Sequence, residues 1–183
     1  MLNYFISFFI LVPFITFAYS MNNMLNKPFM DQQGKTLSGE KIYLPFYFNN
    51  RVTFVAFGFS RKCQDDFDSW LVPFKEKYDL NRNVFFLEIP MLGAKLKWGK
   101  FFLEKAMKSG IKPSNYDNIM NYYGDTTKYK DYYGFTEKDK GYFFLVDQQS
   151  QIIWQDSGAS DLNKINELFN IIDNEIKRKV TDG

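Results

Sequence analysis

The sequence predicts an α/β fold with a mixed central sheet flanked by helices, and three observations carry that prediction. Residues 52–59 (Val-Thr-Phe-Val-Ala-Phe-Gly-Phe) and 84–89 (Val-Phe-Phe-Leu-Glu-Ile) are continuous β-prone runs, the pattern of strands buried on both faces. Between them Phe67, Trp70, Leu71, Phe74 and Tyr78 recur at helical spacing. Strands joined through a helix run parallel, by a right-handed crossover. Residues 142–146 and 151–154 are two further short strands separated only by Asp147-Gln148-Gln149-Ser150, a hairpin-length turn that pairs them antiparallel.

The elements follow in order. Residues 1–26 carry no charge, and 4–18 form a nearly unbroken apolar run. That run is shorter than the roughly 20 residues needed to span a bilayer core. It contains Pro13 and ends in Ala18-Tyr19-Ser20, two small residues flanking a large one. A signal peptide over 1–20 is predicted, and with it an exported, periplasmic or secreted protein. The alternative is an uncleaved membrane anchor holding the protein on the periplasmic side. Residues 21–30 read as a polar linker, 31–176 as a single domain, and 177–183 as a tail. Asp31-Gln32-Gln33-Gly34-Lys35 reads as a turn. Pro73 is expected to kink or divide the helix over 64–78, and Pro90 to close the second strand. Residues 95–108 are amphipathic, with Leu96, Phe102, Leu103 and Met107 as expected core anchors. Ser160 or Asp161 is placed to N-cap a last helix. Its buried stripe is Leu162, Ile165, Leu168, Phe169, Ile172 and Ile176, and Lys177-Arg178-Lys179 complement the dipole at its end. Strand, helix, strand, helices, hairpin, helix is the thioredoxin-like order.

Composition removes most catalytic chemistry. The chain has no histidine and one cysteine. It therefore has no Ser/His/Asp or Cys/His triad, no His-ligated or Cys-rich metal site and no intramolecular disulfide. Twenty-three basic against 21 acidic residues lack the footprint of a nucleic-acid binder. In a thioredoxin-like fold, redox chemistry sits where the first core strand meets its helix, because the helix N-terminus stabilises a thiolate. That junction reads Phe59-Ser60-Arg61-Lys62-Cys63. Against a Cys-x-x-Cys pattern, Ser60 takes the nucleophile position and Cys63 the resolving one. Against the peroxiredoxin pattern, Ser60 satisfies the Ser/Thr three residues before the cysteine, while Ala56 stands where a proline belongs. Redox enzymes of this fold also place a cis-proline before the strand facing the active cysteine, where this chain has Asp139-Lys140-Gly141. A catalytic reading leaves a single thiol at Cys63, its pKa lowered by Arg61, Lys62 and the helix start. The competing reading is an idle thiol on a scaffold that has lost its redox pair.

Asp65, Asp66 and Asp68 cluster in the first turn after Cys63, where the helix dipole already explains acids, and no metal site is expected. Residues 116–135 hold six tyrosines, side chains that combine an apolar body with a polar tip and suit either a partner surface or packing. Asp117, Asp125 and Asp131 among them argue against a nucleic-acid groove.

Asp68-Ser69-Trp70 with Pro73-Phe74 resembles a segment in which a strand runs into a helix holding Asp-Ser-Trp and then Pro-Phe. Tyr123-Gly124-Asp125, followed by Gly141-Tyr142-Phe143-Phe144-Leu145-Val146-Asp147 and Gln151-Ile152-Ile153-Trp154, is similar to a second signature of the same family. That family is the ATP synthase assembly factor ten family of mitochondria and its bacterial relatives, and the resemblance spans residues 27–172. It implies a thioredoxin-like assembly chaperone with no established catalytic residues, no cofactor, and a hydrophobic membrane-complex subunit as client. A mitochondrial presequence would be Arg-rich, and this leader contains no Arg. A mitochondrial inner-membrane location is thus the expectation only for a eukaryotic source.

The expected function is a non-catalytic assembly or chaperone factor, with Trp70, Phe74, Tyr122, Tyr123 and Asp125 as candidate partner-binding residues. The alternatives are a single-cysteine thiol peroxidase or redox sensor using Cys63 with Ser60 and Arg61, and an exported protein-binding module.

Overall fold

The structure is a computed structural model, and it describes residues 21–181. The leader with its cleavage site lies outside them. A small hairpin opens the fold, β1 (Gln32–Thr36) against β2 (Lys41–Leu44). Then come β3 (Val52–Gly58), α1 (Gln64–Tyr78), β4 (Val84–Pro90), α2 (Lys100–Gly110), β5 (Met120–Asn121) and α3 (Thr127–Tyr133). The hairpin strands β6 (Tyr142–Val146) and β7 (Ile152–Ser157) follow, and α4 (Leu162–Thr181) is the last described element.

The central sheet has the order β4-β3-β6-β7. β3 and β4 are parallel, with Val52 opposite Val84, and β6 is antiparallel to both β3 and β7. All seven residues of β3 and all five of β6 are buried, as continuous apolar runs require. One face of the sheet carries Phe54, Phe143 and Trp154 against Trp70 and Phe74 of α1 and Leu168 and Ile172 of α4. The other face carries Val55, Phe57 and Phe144 against α3 and the hairpin strand β2. A second sheet, β2-β1-β5, joins the edge of the first through parallel bridges from Glu88 to Ile119 and from Met91 to Tyr122.

Several expectations are corrected. Residues 21–30 do not behave as a linker: Met24 and Phe29 are core residues, and the Asn22 amide bonds the Tyr133 carbonyl at 3.0 Å. Gly134 ends α3 in the left-handed region, where a Cβ would also strike Asn22. The segment 31–35 is strand, not turn. Gly34 lets Met120 lie across it, and the reversal falls later, at Gly39 (φ +104°), where Thr36 Oγ1 receives the Glu40 amide.

Pro73 does not divide α1, which runs unbroken from Gln64 to Tyr78. Proline cannot bond the carbonyl four residues back, and that carbonyl, of Ser69, takes its bond from Ser160 Oγ at 2.7 Å instead. The Ser160 amide in turn donates to Ser69 Oγ at 2.8 Å.

The region 95–108 is not a core helix. It splits into a 3-10 stretch (Ala94–Gly99) and α2, and neither holds a buried residue. Leu103 and Met107 are half-buried, while Leu96 and Phe102 are exposed. In α4, Asp161 caps the helix by accepting the Asn163 and Lys164 amides, and Ile165, Leu168 and Ile172 are buried, but Leu162 is exposed.

Candidate functional site

Strand β3 ends at Gly58, and a 3-10 turn over Arg61–Cys63 leads into α1. Ser60 caps that turn: its Oγ accepts the Lys62 amide at 3.1 Å and donates to Asp139 Oδ1 at 2.7 Å. Lys62 Nζ meets the other oxygen of Asp139 at 3.2 Å. The hydrogen bond from Ser60, with that from Lys62 behind it, holds the Asp139 carboxyl below the usual carboxylate range. Asp139 thus fastens the loop before β6 onto the head of α1. Asp66 does the same from one turn further, accepting the Gly141 amide at 2.8 Å. The nucleophile position is therefore a hydroxyl bound to a carboxylate.

Cys63 is buried, and its S–H donates to the Ser60 carbonyl at 2.7 Å. It packs directly on β3 at Gly58, where an added Cβ would stand 2.7 Å from Sγ. Burial pushes the thiol pKa up; backbone hydrogen bonds around Ser60, Cys63 and Phe59 oppose this less strongly, and the Asp66 charge adds to the rise. The expected net lowering by Arg61 and Lys62 is not found: both side chains are exposed, and burial is the leading influence on the thiol. The arrangement raises the Cys63 pKa and so disfavours its thiolate.

Trp70 and Phe74 are core residues, which removes them as contact residues. Trp70 Nε1 donates to the Gly158 carbonyl at 2.8 Å, and its ring meets those of Phe143 and Trp154. The Asp68-Ser69-Trp70 signature is therefore explained by docking α1 onto the segment before α4, with Asp68 accepting from Gln64. The structure does bring Tyr122, Tyr123 and Asp125 together, in the loop between β5 and α3. Tyr122 donates to the Asp125 carbonyl and lies edge-on to Tyr129, and burial first, then its neighbour Tyr129, pushes its pKa up to about 12. Tyr123 faces Glu104 of α2 at 3.4 Å. Exposed Asp125, just ahead of α3, accepts the Thr127 amide at 2.9 Å. Tyr122 also lines an open depression of about 620 Å³ with Tyr43, Phe46, Lys128 and Tyr129. Among the described residues no group of three or more His, Cys, Asp or Glu side chains could hold a metal ion.

Sequence reasoning passed over Asp139 and Asp66 as site residues. The only signal for Asp139 was its place in the loop where related enzymes carry a proline.

Comparison with solved structures decides the architecture. The fold is thioredoxin-like. The chain is similar to the thioredoxin domain of a thiol-disulfide oxidoreductase from Bacteroides vulgatus, at TM-score 0.58 and 15% identity, over 82% of this chain and 99% of that one. It is similar to the exposed lipoprotein thioredoxin of Streptococcus pneumoniae, at TM-score 0.54 and 15% identity, over 77% and 98%. It is also similar to a member of the Sco family of cytochrome c oxidase assembly proteins in which a disulfide switch was identified, at TM-score 0.58 and 12% identity, over 84% and 95%. No protein-family model matches the chain. No curated protein matches it either.

Proposed function

We propose that this chain is a thioredoxin-like protein-binding factor, an assembly or chaperone protein of the cell envelope that works without thiol catalysis. One observation carries the reading. At the position of the fold's chemistry, Ser60 stands where a nucleophile would and caps the following turn, and the only thiol is buried and bonded to a carbonyl. The Sco-family neighbour supports an assembly role, since the same fold serves assembly there. An exported location rests on the leader and on the exposed-lipoprotein neighbour. Among the described residues no helix is long and apolar enough to cross a membrane. The ATP synthase membrane sector as client rests on the two sequence signatures alone, with Tyr122, Tyr123 and Asp125 the remaining contact candidates.

Crosslinking and pull-down from native membranes tests the client. Recovery of membrane-sector subunits supports it, and their consistent absence removes it. Cys63 chemistry is tested by alkylation rate against pH, with slow reaction and a midpoint above the ordinary thiol value of about 8.5 expected. Cys63→Ala is expected to leave client recovery unchanged.

A second reading, a thiol redox protein built on Cys63, is favoured by the two thiol-redox neighbours and by the place of Cys63 in the turn that opens α1. A thiolate titrating near about 6, with disulfide exchange lost in Cys63→Ala, would establish it in place of the first.

A further inference from the structure

The helical segment after β4 is turned inside out. In α2 and just beyond it, the half-buried positions are Lys100, Leu103, Glu104, Met107 and Ile111, which share one helical face. That inward face is partly ionic: Lys100 pairs with Glu104, Glu104 accepts from Tyr123, and Met107 Sδ receives the Asn121 amide. The aromatic side chains point outward. Trp98 is 98% exposed, Phe101 71% and Phe102 76%, with Leu96 beside them. The two phenylalanine rings meet edge to face at 5.6 Å, so they form one apolar cluster. An ordinary surface helix shows the reverse arrangement.

Charge says what this cluster fits. Residues 94–112 contain six of the chain's 23 basic side chains, Lys95, Lys97, Lys100, Lys105, Lys108 and Lys112, and one of its 21 acidic ones, Glu104. A chain of net charge +2 is therefore net acidic elsewhere and concentrates its positive charge around its exposed aromatics. All these lysines except Lys100 are exposed.

We infer that residues 94–112 form an anionic-membrane docking surface, inserting Trp98, Phe101 and Phe102 at the headgroup level while the flanking lysines engage acidic headgroups. Protruding Trp and Phe among Lys is the chemistry of interfacial helices, and long lysine stems reach headgroups while covering apolar surface. A lipid interface closes around protruding rings of any shape, whereas a folded partner needs a pocket cut to match them. The inference uses no residue of the Ser60–Cys63 junction and holds whichever reading of that junction stands.

The chain supplies its own probe. Trp70 and Trp154 are buried, so of its three tryptophans Trp98 is the exposed reporter. Full-length protein is titrated with vesicles of phosphatidylcholine mixed with phosphatidylglycerol, and with vesicles of phosphatidylcholine alone, while tryptophan emission is followed. A blue shift with the mixed vesicles, quenched by brominated acyl chains and absent in Trp98→Phe, is expected. Neutralising Lys95, Lys97 and Lys105 to Gln together should weaken it roughly a hundredfold, and added salt should weaken it progressively. These lysines are exposed, and unchanged circular dichroism verifies folding. Attachment through the apolar leader would sediment the protein without moving Trp98, so sedimentation is not the readout. The inference fails if Trp98 does not shift with mixed vesicles, or shifts equally with neutral ones. It also fails if polyglutamate or rising protein concentration alone produces the shift, which would assign the face to an acidic protein or to a second copy. Emission already blue before any addition would assign it to the chain's own leader.

Discussion

Glu88 shows how a single side chain couples this fold to pH. It lies on β4, on the sheet face covered by α1, between Leu87 and Ile89, which point the other way. Burial raises its pKa to about 7; Lys75 opposes the rise and Asp68 adds to it. The folded protein keeps this proton where the unfolded chain, with a pKa near about 4.3, has released it. Between those values the native state binds more protons, so stability falls as pH rises and reaches its lower level above about 7. Glu88→Gln should flatten this dependence and raise stability near pH 8 by up to about 3 kcal/mol. Urea denaturation on both sides of the window reads it; equal pH slopes for the two proteins would refute the assignment. Trp70 is the packing counterpart. Trp70→Ala removes a fully buried ring and the bond to Gly158, and should cost about 3–5 kcal/mol. Cys63→Ala removes only a small buried thiol and should cost far less.

At the scale of elements, α1 and α4 are tied by the exchange between Ser69 and Ser160. Ser160→Ala leaves the Ser69 carbonyl without its donor and should cost about 1–3 kcal/mol. Pro73→Ala restores the missing helical N–H. It should therefore matter little alone and recover much of the loss in the double variant. A thermal double-mutant cycle with no coupling between the two positions would show that Ser160 does not serve that carbonyl. Helix α2 is the opposite case, held by a few half-buried and polar contacts. Hydrogen exchange should find it the fastest of the long helices, and β3 and β6, buried along their whole length, the slowest strands. Protection of α2 on adding acidic vesicles would mark the docking face directly.

Over the whole molecule, the sheet is covered on both faces, and residues 21–30 belong to the second cover. Phe29 packs against Phe48, Phe57 and Tyr133, so the folded unit begins before the first strand. Phe29→Ala should lower stability by about 3–5 kcal/mol, a large share of the total for a domain of this size. A melting temperature unchanged by that substitution would mean that the segment merely lies on the surface.

The sequence by itself determined the four strands of the central sheet, the parallel pairing of β3 with β4, the antiparallel pairing of β6 with β7, the helical span of α1, and the absence of histidine and of a second thiol. Period-two and period-3.6 patterns are local, and so is the presence or absence of a residue type. Tertiary structure alone decided that Trp70 and Phe74 are core, that Pro73 leaves its helix whole, and that residues 21–30 are packed. It also decided that Cys63 is sealed and that the aromatics of 98–102 face outward. Each of these depends on what a distant segment places alongside: Ser160 beside Ser69, Tyr133 beside Phe29, Gly58 beneath Cys63, and nothing over Trp98 among the described residues. An apolar residue at helical spacing states that it seeks cover, and only the packed chain states whether the cover comes from the same molecule.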